Sequence, residues 1–311
     1  MIGTGTAARL GSYALVVAVL ATGAYALGGA VGPLGADARA GSTHVEQGAH
    51  HVGSDSSGTS SAAQAHRPGG LQVSEDGYTL EPLTAPTRVG KPATFTFRVL
   101  AGDGRPVTRF ASTHDRPLHL IVVRRDLTGF QHLHPAMSAD GTWRVPLTLS
   151  AAGSYRAFAD FRPAGAEDGL TLGSDVEVAG DYEPRALPSP SSVATVDGYT
   201  VTLRGALGPG RASELTLSVS RDGEPVTDLQ PYLAAYGHLV ALRHRDLAYL
   251  HVHPEGSPGD GRTRPGPDVT FSAEVPSAGR YRLFLDFKHH GVVRTAAFTA
   301  TAQSAPVGEG Q

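Results

Sequence analysis

The chain has 311 residues, 40% of them hydrophobic and 18% charged, with a formal net charge of −3 and no cysteine. That length serves two domains of ordinary size with real cores, and the missing basic excess speaks against a nucleic-acid partner. Without Cys there is no disulfide, thiolate metal site or thiol redox chemistry, and with only Met1 and Met137 there is no thioether site for Cu(I).

No charged residue occurs from Leu10 to Ala36, and Arg9 stands just before that run. Residues 1–36 are expected to form a membrane anchor, a single pass at the cell membrane that leaves the C-terminal domains outside. The alternative is a signal segment, because Ala38-Arg39-Ala40 reads as a small-x-small cleavage site. Cleavage after Ala40 would release a secreted protein beginning at Gly41. Residues 37–70 are mostly Ser, Gly, Ala, Gln and His, including His44, His50, His51 and His66. So little apolar surface cannot offset the ordering entropy, which predicts a disordered linker.

The remainder is an internal repeat. GYTLEP at Gly77 matches GYTVTL at Gly198, and GRPVTRF at Gly104 matches GEPVTDL at Gly223. PLHLIVVRRDLTGFQHLHP, ending at Pro135, lies over YGHLVALRHRDLAYLHVHP, ending at Pro254; AGSYRAFADF from Ala152 lies over AGRYRLFLDF from Ala278. The expected domains are residues 71–182 and 193–303, with a linker over 183–192 and a disordered tail over 304–311. Apolar residues alternate in short runs, as in Phe95, Phe97 and Val99 or Leu215, Leu217 and Val219. With frequent Gly and Pro, that alternation predicts an all-β chain of two tandem immunoglobulin-like β-sandwich domains, each able to fold alone.

Each copy carries a His-x-His-Pro motif and one earlier histidine: His119, His132 and His134 in the first, His238, His251 and His253 in the second. Residues two apart on a strand share a face. A hairpin turn between Asp126 and Leu127 would set His119 opposite His134, and one between Arg245 and Asp246 would set His238 opposite His253. Directly opposed β-carbons stand roughly 4.5–5.5 Å apart, so three imidazoles can converge on one ion in each copy. Imidazole nitrogen suits Cu(II) or Zn. Asp160 and Asp286 recur in the AFADF and LFLDF strands, as ligands or as acceptors of a ligating histidine's second N–H. Histidines at a strand end can also simply bond backbone. His114, His244, His289 and His290 have no matching partners and are expected at the surface.

The strings LHLIVVRRDLTGFQHLHP, DGTW and AGSYRAFADFRP resemble a family of exported actinobacterial proteins with tandem His-x-His-Pro domains. More distantly, the domains are similar to the YtkA-like and CopC-like immunoglobulin-type modules of periplasmic metal handling. That resemblance implies a copper-related role for His119, His132, His134 and their second-copy counterparts. The chain departs from CopC-like sites, which use a histidine at the mature N-terminus, where cleavage here would leave Gly41.

No catalytic motif is recognisable: there is no G-x-S-x-G, H-E-x-x-H or phosphate loop. The sequence reads as a non-enzymatic, extracytoplasmic metal-binding protein, for Cu(II) or Zn binding, buffering or delivery. The competing reading is a non-catalytic immunoglobulin-like interaction module presented to an envelope protein.

Overall fold

The computed structural model describes residues 68–250 and 252–303. The expected anchor, all of the linker before residue 68, His251 and the tail from residue 304 lie outside the described residues. Among the described residues there is no helix at all, hence none long and apolar enough to cross a membrane.

The first copy runs through β1 (Ser74–Glu75), β2 (Tyr78–Thr84), β3 (Ala93–Leu100), β4 (Phe110–Ala111) and β5 (Leu118–Arg124). It continues with β6 (Gln131–Leu133), β7 (Ala136–Met137), β8 (Trp143–Leu147), β9 (Gly153–Pro163) and β10 (Leu170–Val178). The second copy has β11 (Val193–Val196), β12 (Tyr199–Arg204), β13 (Ala212–Arg221), β14 (Glu224–Pro225) and β15 (His238–Arg243). Then follow β16 (Tyr249–Leu250), β17 (Val252–Pro254), β18 (Asp268–Glu274), β19 (Gly279–His289) and β20 (Val292–Ala302). In the first copy a sheet in the order β1-β2-β3-β8-β7 faces one in the order β10-β9-β5-β6; in the second, β11-β12-β13-β18-β17 faces β16-β15-β19-β20. The described residues are thus all-β, two antiparallel immunoglobulin-like sandwiches in tandem.

Each sandwich has its own core, the product of the alternation seen in the sequence. Phe95, Phe97, Trp143, Tyr155 and Phe161 fill the first; Tyr199, Phe271, Tyr281, Phe287 and Phe298 fill the second. A third apolar cluster lies between the copies. It joins Ile121, Val123, Leu127 and Phe158 to Val240, Leu242, Leu247, Tyr249 and Phe284. This explains the unbroken run Leu118–Arg124, buried at every position: one face of β5 meets its own sandwich, the other meets the second copy.

The contacts across this seam are reciprocal. Phe130 of the first copy stacks on Phe284 of the second, ring centroids 4.0 Å apart; Tyr249, the counterpart of Phe130, meets Phe158, the counterpart of Phe284, at 5.6 Å. A contact of i with j answered by j with i is the signature of a two-fold interface, here built within one chain. The last residues of the expected linker are part of it. Gly69 pairs with Tyr249, and the Gly70 carbonyl accepts from Arg156 Nη2 at 2.7 Å. Gly70 has φ +72°, and a Cβ there would stand 2.3 Å from Phe158 Cδ1, so only glycine fits.

Candidate functional site

In the first copy the hairpin has the register expected of its turn. Leu120 pairs with Leu133 and Ile121 with His132, which carries His134 to the position opposite His119. On the other side of β5, His119 pairs with Asp160 of β9. His119, Ile121, His132 and Phe158 share the face turned toward the second copy. The ligand atoms of His119, His132 and His134 all lie within 4.8 Å of one another.

The second copy does not build a matching set, and the expected facing of His238 and His253 is corrected here. Its hairpin starts in the expected register, with Leu242 opposite Tyr249 and Ala241 opposite Leu250. The chain then crosses to the other sheet, where Val252 pairs with Ala273 and His253 with Ser272. In the first copy β6 stays with β5 through Leu133, two positions further. His253 is exposed, His251 lies outside the described residues, and His238 turns instead to the first copy's histidines. Its ring lies parallel to that of His119 at 5.4 Å and 4.8 Å from that of His132. Among the described residues, one composite cluster at the seam stands in place of two separate sites.

The hydrogen bonds set the tautomers. His119 Nε2 donates to the Thr113 carbonyl at 2.9 Å, and His132 Nδ1 donates to Asp286 Oδ2 at 2.8 Å. Neither oxygen can donate, so in neutral rings the protons sit on those nitrogens. That leaves His119 Nδ1 and His132 Nε2, 3.0 Å apart, with their lone pairs facing. Two nitrogens on one tetrahedral zinc, each about 2.0–2.1 Å from it, stand about 3.3 Å apart. Two further nitrogens of the cluster, His134 Nε2 and His238 Nδ1, are buried without a hydrogen-bond partner.

Electrostatics keep His119, His134 and His238 short of protons. Burial, with the nearby His132 charge and against the Thr113 bond, lowers His119 to about 4. Burial lowers His134 to about 3, helped by His132 and His119, and depresses His238 well below its usual value. Imidazoles held neutral are the form a metal needs. Tyr232, whose ring lies 6.2 Å from His134, is raised to about 12 by burial and by the Asp286 charge, and stays protonated.

The two carboxylates have parted company. Asp286 Oδ2 receives the N–H of His132, as expected of an orienting acceptor, although the histidine belongs to the other copy; its Oδ1 accepts from Thr295. Asp160 Oδ1 accepts from Thr171 Oγ1 at 2.9 Å and borders an open cleft with His114 and His253. Of the histidines expected at the surface, His114 is half-buried beside that cleft, and His289 is not at the surface. His114 stacks edge-on to His238 at 5.3 Å. His289 is buried, its Nδ1 on the Tyr199 hydroxyl at 2.7 Å and its Nε2 on Asp228 at 2.9 Å, close to His290. The order His119-x-Ile121 was legible as a face, but what covers that face depends on a partner 119 positions away in the repeat.

No curated protein matches the chain. Among solved structures, Salmonella alpha-2-macroglobulin reacted with methylamine is 16% identical with a TM-score of 0.25, covering 74% of this chain and 15% of that one. The Escherichia coli adhesin FdeC is 16% identical with a TM-score of 0.23, covering 75% and 65%. Invasin, a bacterial integrin-binding protein, is 12% identical with a TM-score of 0.24, covering 74% and 40%. The chain spans less than two thirds of each of these proteins, and similarities this slight carry no argument about function. The family match is different in kind: residues 72–179 and again 194–304 match the family described as Domain of unknown function (DUF8832), and the protein belongs to that family.

Proposed function

We propose that this protein is a non-catalytic immunoglobulin-like pair of the cell exterior whose seam binds a divalent ion, Zn or Cu(II), through His119, His132 and His134. The observation that carries the reading is the facing of His119 Nδ1 and His132 Nε2 at 3.0 Å. With both rings neutral, the two facing lone pairs repel, and a cation between them removes the repulsion. His134 Nε2, buried and unpartnered beside them, is a third donor. Asp286 behind His132 supplies the carboxylate that orients a ligating imidazole and raises its basicity. The exterior location rests on Arg9 and the uncharged run that follows it.

One observation favours a second reading. The His132–Asp286 bond joins the copies, both side chains being 2% exposed, and a proton between the two imidazoles serves the same purpose as a metal. On that reading the histidines only fasten the seam. The full chain purified without a His-tag separates the two by elemental mass spectrometry and by melting at pH 7.5 with Zn. We expect near-stoichiometric metal and a raised Tm in the wild type, both reduced in His132→Ala with His134→Ala and kept in His244→Ala. Metal content and Tm shift that are the same in wild type and in the double variant leave the fastening role alone.

A further inference from the structure

We infer that the cleft bordered by His114, Asp160, Glu167, Asp168 and His253 is an outer cation site, through which a hydrated divalent ion reaches the seam. The inference rests on the metal reading above and adds the route to it. The cleft has a volume of about 390 Å³ and also takes in Thr113 and Arg162. Its border thus carries three carboxylates against one guanidinium, and Glu167 and Asp168 are exposed at its rim. A rim of one sign concentrates ions of the other and speeds their arrival.

What distinguishes this rim from an ordinary acidic patch is its continuity with the buried cluster. The His114 ring, on the cleft, lies 5.3 Å from that of His238 and 6.0 Å from that of His119. His238 is 7% exposed, and its Nδ1 has no hydrogen-bond partner. Asp160, on the same border, is the register partner of His119. Oxygen donors outside and imidazoles inside let an ion exchange its waters one at a time, where a direct move into the seam would strip them together at high cost.

The turn that presents His114 is built for its position. His114 and Asp115 both have positive φ, 50° and 61°, a conformation few non-glycine residues adopt. The same turn aims the Thr113 carbonyl at His119 Nε2. One short segment therefore places a cleft histidine and fixes the tautomer of a seam histidine.

Co(II) tests the route in the full chain, because its visible bands are strong in a four-coordinate nitrogen site and weak in the hexaaquo ion. Stopped-flow growth of those bands measures loading. We expect Glu167→Gln with Asp168→Asn, and separately His114→Asn (which tolerates positive φ), to slow loading about tenfold while the final spectrum stays the same. Added salt should slow the wild type and leave the carboxylate variant nearly unchanged. Asp103→Asn, an exposed carboxylate outside the cleft, should load like the wild type. Equal loading rates in all proteins overturn the route and leave the metal centre standing. No bands in the wild type overturn the metal centre, and the route with it.

Discussion

His119 lies parallel to its own counterpart, His238, with ring centroids 5.4 Å and planes 11° apart. A residue meets its repeat partner in this way only near a two-fold axis, and the crossed pairs Phe130–Phe284 and Tyr249–Phe158 place that axis through the apolar seam. The two sandwiches should therefore unfold together. We expect one cooperative transition in urea. Phe284→Ala, which empties the seam and neither copy's own core, should lower stability by about 3–5 kcal/mol. Two separated transitions in the wild type, with Phe284→Ala shifting neither, would show the copies to be independent.

Acid should weaken this fold through the histidines. His119 is lowered to about 4 and His134 to about 3, below the unfolded value of about 6.5. Between those values the unfolded chain binds more protons, so stability rises with pH there. The contribution is complete above about pH 6.5 and is lost as pH falls toward 4 and then 3. His119→Gln should flatten the curve of Tm against pH across that window. An unchanged slope in the variant counts against His119 as a source.

The same shifts displace the acid limit of metal binding. An ordinary imidazole competes with protons below about pH 6.5, whereas His119 and His134 stay neutral well below that. Zn should still raise the Tm at pH 5.5. A shift that vanishes between pH 7 and 6 would point to exposed histidines as the ligands.

The His132–Asp286 pair gives a third measurable. Removing the histidine leaves a buried carboxylate whose remaining side-chain donor is Thr295. Breaking one half of a buried pair costs about 3–5 kcal/mol, and replacing both halves costs less than the separate losses together. His132→Leu should therefore be strongly destabilising, and His132→Leu with Asp286→Leu should recover part of the loss in chemical denaturation. Simple additivity would mean that the two side chains do not act as a pair.

Gly70→Ala tests whether the start of the described chain belongs to the seam. The added methyl meets Phe158, and φ +72° disfavours it besides. We expect a loss of about 2–5 kcal/mol from overpacking and backbone strain together, where the same change at Gly104, also at positive φ with open space around it, costs about 1–2 kcal/mol from the strain alone. Equal effects at the two sites would place Gly70 outside the packed structure.

Local pattern carried the fold. Alternation gave the strands, and Arg124-Arg125-Asp126 gave the turn that sets Leu120 against Leu133. Asp126 shows why the turn is firm: burial alone would raise it, yet Arg124, the Arg185 N–H and Thr128 hold it at about 2. The second copy offers the same His-x-His-Pro motif, and nothing within it signals that the chain leaves the sheet after Leu250. The buried outer face of β5 was present in the sequence as LHLIVV, a run without polar interruption apart from His119. That His238 would join the first copy's set was not legible, because period-two patterning says which face a residue takes and not which surface arrives against it.

The crossed contacts have a consequence for how far the copies can drift apart. In a dimer of identical chains, every residue near the axis has a mate in an identical setting, so no half can change alone. Here both halves are written separately. His134 is half-buried against the seam, while its counterpart His253 is exposed beside the cleft. Joining the halves in one chain also keeps them together at any dilution. A single chain thus permits an asymmetric cluster beside the axis, assembled mainly from one half and completed by the other, that a symmetric pair of chains cannot make just once.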